Sequence, residues 1–196
     1  MGRKWAGVLF AIFGLMLWVG ALAAAAAGRV IEASVSHTDD GRVLNRGNVV
    51  RIGNTFEVPS GRKLKLKMAD GSVISAASGS SITIASDGSA GSGRAAKLLL
   101  SQGLLHVTSA TRPFEVSTAV GTAAVGSDSA EWFIKAEAGS AQVAVLAGTV
   151  DLTSRVTGES VSIPAHWGTR LEAGRTPVPP RVWTQVEFNA FIRVTQ

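Results

Sequence analysis

The 196-residue sequence contains no cysteine, which excludes a disulfide framework, a thiolate metal site and a lipoprotein anchored through an acylated cysteine. Stability must therefore come from packing. Tyrosine is also absent, and histidine occurs only as His37, His106 and His166, each isolated in the chain. No H-x-H pair with a nearby carboxylate is present, as a cupin metal centre would need. There is no G-x-S-x-G elbow and no carboxylate pairing of the glycosidase kind. Asp39-Asp40-Gly41 lacks the further oxygen ligands of a calcium loop, and Arg42 follows directly. No catalytic residue, metal or cofactor is expected. His106 alternates with Leu105 and Val107, which predicts a solvent-facing strand position, while His166 follows Pro164 in a turn beside Trp167. Charge of one sign is also in short supply: Lys and Arg outnumber Asp and Glu by 19 to 14. The basic residues are scattered without interleaved aromatics, which argues against nucleic acid as a partner.

The chain does have a strongly apolar beginning. Arg3 and Lys4 precede an uncharged stretch from Trp5 to Gly28, whose end, GALAAAAAG, offers small residues in overlapping A-x-A patterns. Residues 1–28 are expected to form a hydrophobic helix acting as an export signal or a signal anchor. The strongly apolar part ends at Val19, which favours cleavage, after Ala25 or Ala27, over retention. If the segment is retained, membrane contact is confined to residues 5–28. If it is removed, 17 basic residues face 14 acidic ones, a net charge of +3. In either case the rest of the chain is placed outside the cytoplasm, in the periplasm or the extracellular space.

From Val43 onward, short apolar or alternating runs recur between Gly, Asp-Gly, Ser and Pro, the spacing of an antiparallel sandwich or barrel. In KLKLKM (63–68) the period is two, so Leu64, Leu66 and Met68 share one face and Lys63, Lys65 and Lys67 the other. Asp70-Gly71 supplies the hairpin turn that follows. Further strands are expected at 81–84, 97–101, 104–107, 114–118, 131–136, 142–146, 149–152, 160–163 and 169–172. Gly103 and Gly148 are expected to close two similar hairpins. After Gly174, Pro177, Pro179 and Pro180 predict an extended connector. The tail around Trp183, Val186, Phe188, Phe191 and Ile192 has loosely helical spacing and predicts a short helix docked on the domain.

The order of these pieces resembles the FecR domain family. Two glycine turns open the matching region (Gly47-Asn48 and Gly53-Asn54), and an alternating strand then meets the D-G-S turn at Asp70-Gly71-Ser72. Apolar strands at Leu98–Leu100 and Leu104–Val107 follow, then an F-x-V-x-T stretch (Phe114–Thr118) and a V-x-V-x-x-G-x-V element (Val143–Val150). Where that family carries R-G-T, this chain has Val125-Gly126-Ser127, without the Arg. The resemblance implies an all-β fold, an antiparallel sandwich of jelly-roll character over residues 43–174, followed by a connector and tail over 175–196. It also implies a role in carrying an outer signal across the envelope. The family's regulators place a cytoplasmic segment before their membrane helix, whereas only Met1–Lys4 precede the apolar run here, so direct sigma-factor control is not expected.

The expected function is therefore that of a non-catalytic extracytoplasmic module binding an envelope protein or an anionic polysaccharide, in signalling or assembly. The alternative is a structural or secreted surface protein that uses the same domain for adhesion. Arg62, Lys63, Lys65 and Lys67 form the only concentrated charge in the domain and are the candidate binding residues. Such lysines equally serve as a solvated strand face that resists edge-to-edge pairing.

Overall fold

The structure, a computed structural model, describes residues 26–33, 36–38, 41, 43–88, 94–110, 113–126 and 128–195. Most of the hydrophobic segment 1–28, Asp39-Asp40, Ser127 and most of the loop 87–93 lie outside the described residues. The described residues are all-β up to the last element. In order it forms β1 (Ala26–Ala33), β2 (Ser36–Thr38), β3 (Val43–Leu44), β4 (Val49–Arg51), β5 (Thr55–Glu57), β6 (Leu64–Met68), β7 (Val73–Ala76) and β8 (Ser81–Asp87). There follow β9 (Ala96–Thr108), β10 (Phe114–Ser117), β11 (Gly121–Val125), β12 (Glu131–Glu137), β13 (Ser140–Ala147), β14 (Thr149–Ser154), β15 (Ser160–Pro164), β16 (Trp167–Glu172), β17 (Arg181–Val182) and the helix α1 (Gln185–Thr195).

Pairing sorts these strands into two sheets that share β9. The first runs β4-β1-β6-β7-β9-β12-β13-β16-β17. The second runs β3-β2-β5-β8-β9-β10-β11-β14-β15. Every pair is antiparallel except β9–β10, which is parallel. The inner faces of both sheets meet in one core that includes Val30, Leu66, Ile74, Val107, Trp132 and Val143 from the first and Phe56, Ile82, Leu98, Phe114, Val116 and Leu152 from the second.

A correction to the expected hairpins explains how the sheets are joined. The segment through Gly103 does not turn back: β9 continues across it, pairing with β8 and β10 before the glycine and with β7 and β12 after it. Gly103 has φ +101°, and a Cβ there would fall 2.4 Å from the Ser80 Cα, so only glycine fits the bend. Ser80, fully buried, holds the bend through its hydroxyl, which accepts from the Leu104 N–H and donates to the Leu104 carbonyl, both at 3.1 Å. Gly148 likewise lies where the chain passes from β13 in the first sheet to β14 in the second. Beyond the expected set lie β1 and β2 ahead of Val43, the short β3, β4 and β5, β11 in the second sheet, and β17, which pairs with β16 after the proline connector.

The Asp70-Gly71-Ser72 turn forms as expected. Gly71 takes φ +96°, and the Asp70 carboxylate accepts from the Ser72 N–H at 2.9 Å and from its hydroxyl at 2.7 Å. The C-terminal helix is also present, with a start signal that is plain in retrospect. Thr184 is its N-cap: the Thr184 N–H donates to Glu187 Oε2 at 2.8 Å, and the Glu187 N–H donates back to the Thr184 hydroxyl at 3.4 Å. Trp183 before the cap packs on Phe188 one turn on, ring centroids 5.5 Å apart, which sets the angle at which the chain enters the helix. Arg181 bridges to Glu187 at 2.5 Å and, with Thr184, holds that carboxyl down to about 2.

Candidate functional site

The helix lies on the outer face of the first sheet. Phe188 and Phe191, with Trp183, bury themselves against Leu104, Phe133, Ala144 and Ala77, forming a second apolar cluster separate from the main core. Phe133 stacks on Phe191 with centroids 5.7 Å apart, and Trp183 on Phe191 at 5.3 Å. Gly168 on β16 admits the indole: a Cβ there would stand 2.3 Å from Trp183 Nε1.

Strand register places one row of outer-face residues straight across the sheet. It runs Glu32, Lys65, Ser75, His106, Phe133, Ala144, Gly168, each opposite the next on the neighbouring strand. Adjacent members are about 5 Å apart by strand spacing. The row changes character in the middle. From Phe133 onward it lies under the aromatic residues of the helix region, and before Phe133 it is polar and charged. A cavity of 310 Å³ opens over the polar part, lined by Glu32, Lys63, Lys65, Ser75, His106 and, from the end of the helix, Thr195.

His106 sits at the boundary and is not the solvent-facing residue expected from its alternation. Its ring stacks on Phe133 with centroids 4.4 Å apart, and only 14% of its side chain is exposed. Nε2 lies 2.8 Å from Glu131 Oε1. Burial pushes its pKa below the ordinary 6.5 and outweighs the pull of Glu131, while nearby Lys65 lowers it further. At neutral pH the ring is therefore uncharged, with Nε2–H donating to the Glu131 carboxylate and Nδ1 left as an acceptor.

The four basic residues expected to bind are divided by the structure. Lys63 and Lys65 share the 310 Å³ cavity. Lys67 instead lines a 300 Å³ cavity with Arg29, Gly28 and Met68. Arg62 is exposed in the turn before β6, where its N–H donates to the Pro59 carbonyl at 3.1 Å. The KLKLKM pattern could not supply Glu32, Ser75 and His106, which only strand register brings into one row with Lys65. His166 occupies the β15–β16 turn at φ 67°, its N–H donating to the Val145 carbonyl at 2.7 Å, and His37 lies in β2, opposite Val43 and Glu57. Among the described residues, no group of three or more His, Asp or Glu is placed to hold a metal. No helix of the described residues is long and apolar enough to cross a membrane.

Comparison with known proteins fits this architecture. Two crystal structures of a "putative anti-sigma factor" from Parabacteroides distasonis ATCC 8503 superpose at TM-scores of 0.59 and 0.58, each with 15% sequence identity over 70% of this chain. At that identity the likeness speaks for the fold, and this chain spans 64% and 63% of their length. No curated protein matches the sequence. The family described as FecR protein matches residues 54–151, from β5 into β14, which is half of the chain. The chain belongs to the FecR protein family.

Proposed function

We propose that this protein is a non-catalytic extracytoplasmic module that binds an envelope partner in signalling or assembly. Family membership supports a signalling role, and the anti-sigma designation of the structural neighbours favours a protein among its partners. The observation that carries the binding role is the outer face of the first sheet. Half of it is sealed by the C-terminal helix, and the other half holds a charged cavity. A sheet face built only for solubility would have no need of a docked helix and a recessed polar pocket beside it.

Export rests on the segment before β1, and the strand bears on where that segment would be removed. Ala27 is fully buried in the main core, and its carbonyl accepts from the Ala69 N–H at 2.9 Å. A mature chain starting at Gly28 would lose both contacts, whereas removal after Ala25 leaves β1 intact. Crosslinking in intact cells, followed by affinity recovery and N-terminal sequencing of the same sample, tests the proposal. The expected result is a crosslinked envelope protein together with a mature chain beginning at Ala26. Recovery from the cytoplasmic fraction with Met1 still in place would refute the extracytoplasmic reading, and recovery chiefly from culture medium would favour the adhesive alternative.

A further inference from the structure

Two groups in the 310 Å³ cavity have no partner among the described residues. Ser75 is only 8% exposed, and among the described residues its hydroxyl makes no hydrogen bond. Among the described residues Trp132 Nε1 is the one fully buried side-chain polar atom without a partner, so the Ser75 hydroxyl is reached through the cavity and can donate to or accept from a group bound there. Lys65 makes no ion pair with a described residue, although Glu32 stands opposite it in register. The other groups are fixed in place. His106 is pinned by its stack on Phe133 and its bond to Glu131, so Nδ1 remains available as an acceptor.

The cavity thus combines two lysine side chains, Lys63 and Lys65, and the Ser75 hydroxyl with two acceptors, the Glu32 carboxylate and His106 Nδ1. A bare anion such as phosphate would meet the lysines but would be repelled by Glu32. A neutral sugar would leave Lys65 without a counter-charge. A hydroxylated carboxylate satisfies both sides: its carboxylate accepts from Lys65 and Ser75, and its hydroxyls donate to Glu32 and His106. The volume of 310 Å³ lies at the small end of ligand cavities and suits a single ring.

We propose that this cavity is a binding site for a hydroxylated carboxylate with the chemistry of an acidic sugar unit. The proposal deepens the reading of the protein as an envelope-binding module and rests on it. The contrary explanation is structural: cations favour a helix C-terminus, and Lys63 and Lys65 line the cavity together with Thr195 at the end of α1.

The test is an NMR titration of the purified mature protein, following the His106 ring and the Ser75 amide. Sodium glucuronate, glucose, acetate and a short oligomer of glucuronate are added separately. Saturable shifts with glucuronate, no shift with glucose and weaker binding of acetate are expected. Ser75→Ala and Lys65→Gln should each raise the glucuronate Kd at least tenfold while leaving the melting temperature unchanged. Tighter binding of the oligomer would identify a polysaccharide as the source of the ligand, and equal binding a free sugar acid. Indistinguishable responses to glucose and glucuronate, or variants that titrate like the wild type, would overturn the site. A partner still captured by crosslinking under those outcomes would leave the broader function intact, so the two failures are distinguishable.

Discussion

Each of the two sheets carries an outward-facing row of seven residues in register, and the rows are built on different principles. In the second sheet the row runs Thr55, Thr83, Leu99, Ser117, Thr122, Thr153, Ser160. Its hydroxyls pair off: Thr55 with Thr83 at 2.8 Å, Ser117 with Thr122 at 3.0 Å and Thr153 with Ser160 at 3.0 Å. In the first sheet the equivalent row sets charge, an unpaired hydroxyl and aromatic rings side by side. Self-satisfied rows need no partner, whereas the first sheet uses one helix to cover half of its row and leaves the other half open as the cavity proposed above to take a ligand. The placement of the proposed site on the first sheet rests on that asymmetry.

The comparison is broken most severely at Phe133, the fully buried outward-facing ring on which both His106 and Phe191 stack. Phe133→Ala should lower unfolding free energy by about 3–5 kcal/mol in denaturant titrations, the range for deleting a buried phenyl ring. It should also raise hydrogen exchange throughout α1 more than in β14 or β15. Uniform exchange across the molecule would show that the helix is held by something other than this stack.

A smaller effect is expected from pH. Because the folded-state pKa of His106 lies below its unfolded value near 6.5, the unfolded chain binds the proton more readily. Stability from this group is therefore complete above about 6.5 and is lost as pH falls through the lowered folded value. Burial sets this balance with Glu131 and Lys65, while Lys63 and Glu32 are the other charged groups lining the cavity over the ring. Thermal melts between pH 7.5 and 5 should show the decline, and His106→Gln should flatten it. A decline that survives the substitution would place the acid sensitivity elsewhere.

Much of this arrangement was legible in the sequence, and what was not has physical causes. Alternation in KLKLKM located Leu64, Leu66 and Met68 in the core with Lys65 and Lys67 outside, because a period of two has a single structural meaning in a half-buried strand. β1 was hidden because Ala26, Ala27 and Gly28 carry the small residues that a processing site also requires. β9 was hidden because glycine between apolar runs fits a turn as well as a bend, and only the contact with Ser80 decides which forms. The cavity was half legible. Lys63 and Lys65 follow from local pattern, but Ser75 and His106 join them through cross-strand register, a long-range property set by the D-G-S turn and the course of β9.

The smallest effect should come from the second sheet. Replacing both Thr55 and Thr83 by Val removes a hydrogen bond between two half-buried hydroxyls together with both of its partners, so no donor is left stranded, and valine is at least as favourable as threonine in a strand. The double variant should change unfolding free energy by about 0.5 kcal/mol or less in either direction. The single variants should each be less stable than the double one, since each leaves one hydroxyl without its partner. Ser75→Ala on the first sheet should behave in the opposite manner. Because its hydroxyl has no partner among the described residues, its removal should leave folding unaffected and appear only in ligand binding. Equal stability losses at Ser75 and at Thr83 in parallel denaturant titrations would erase the distinction between the two rows.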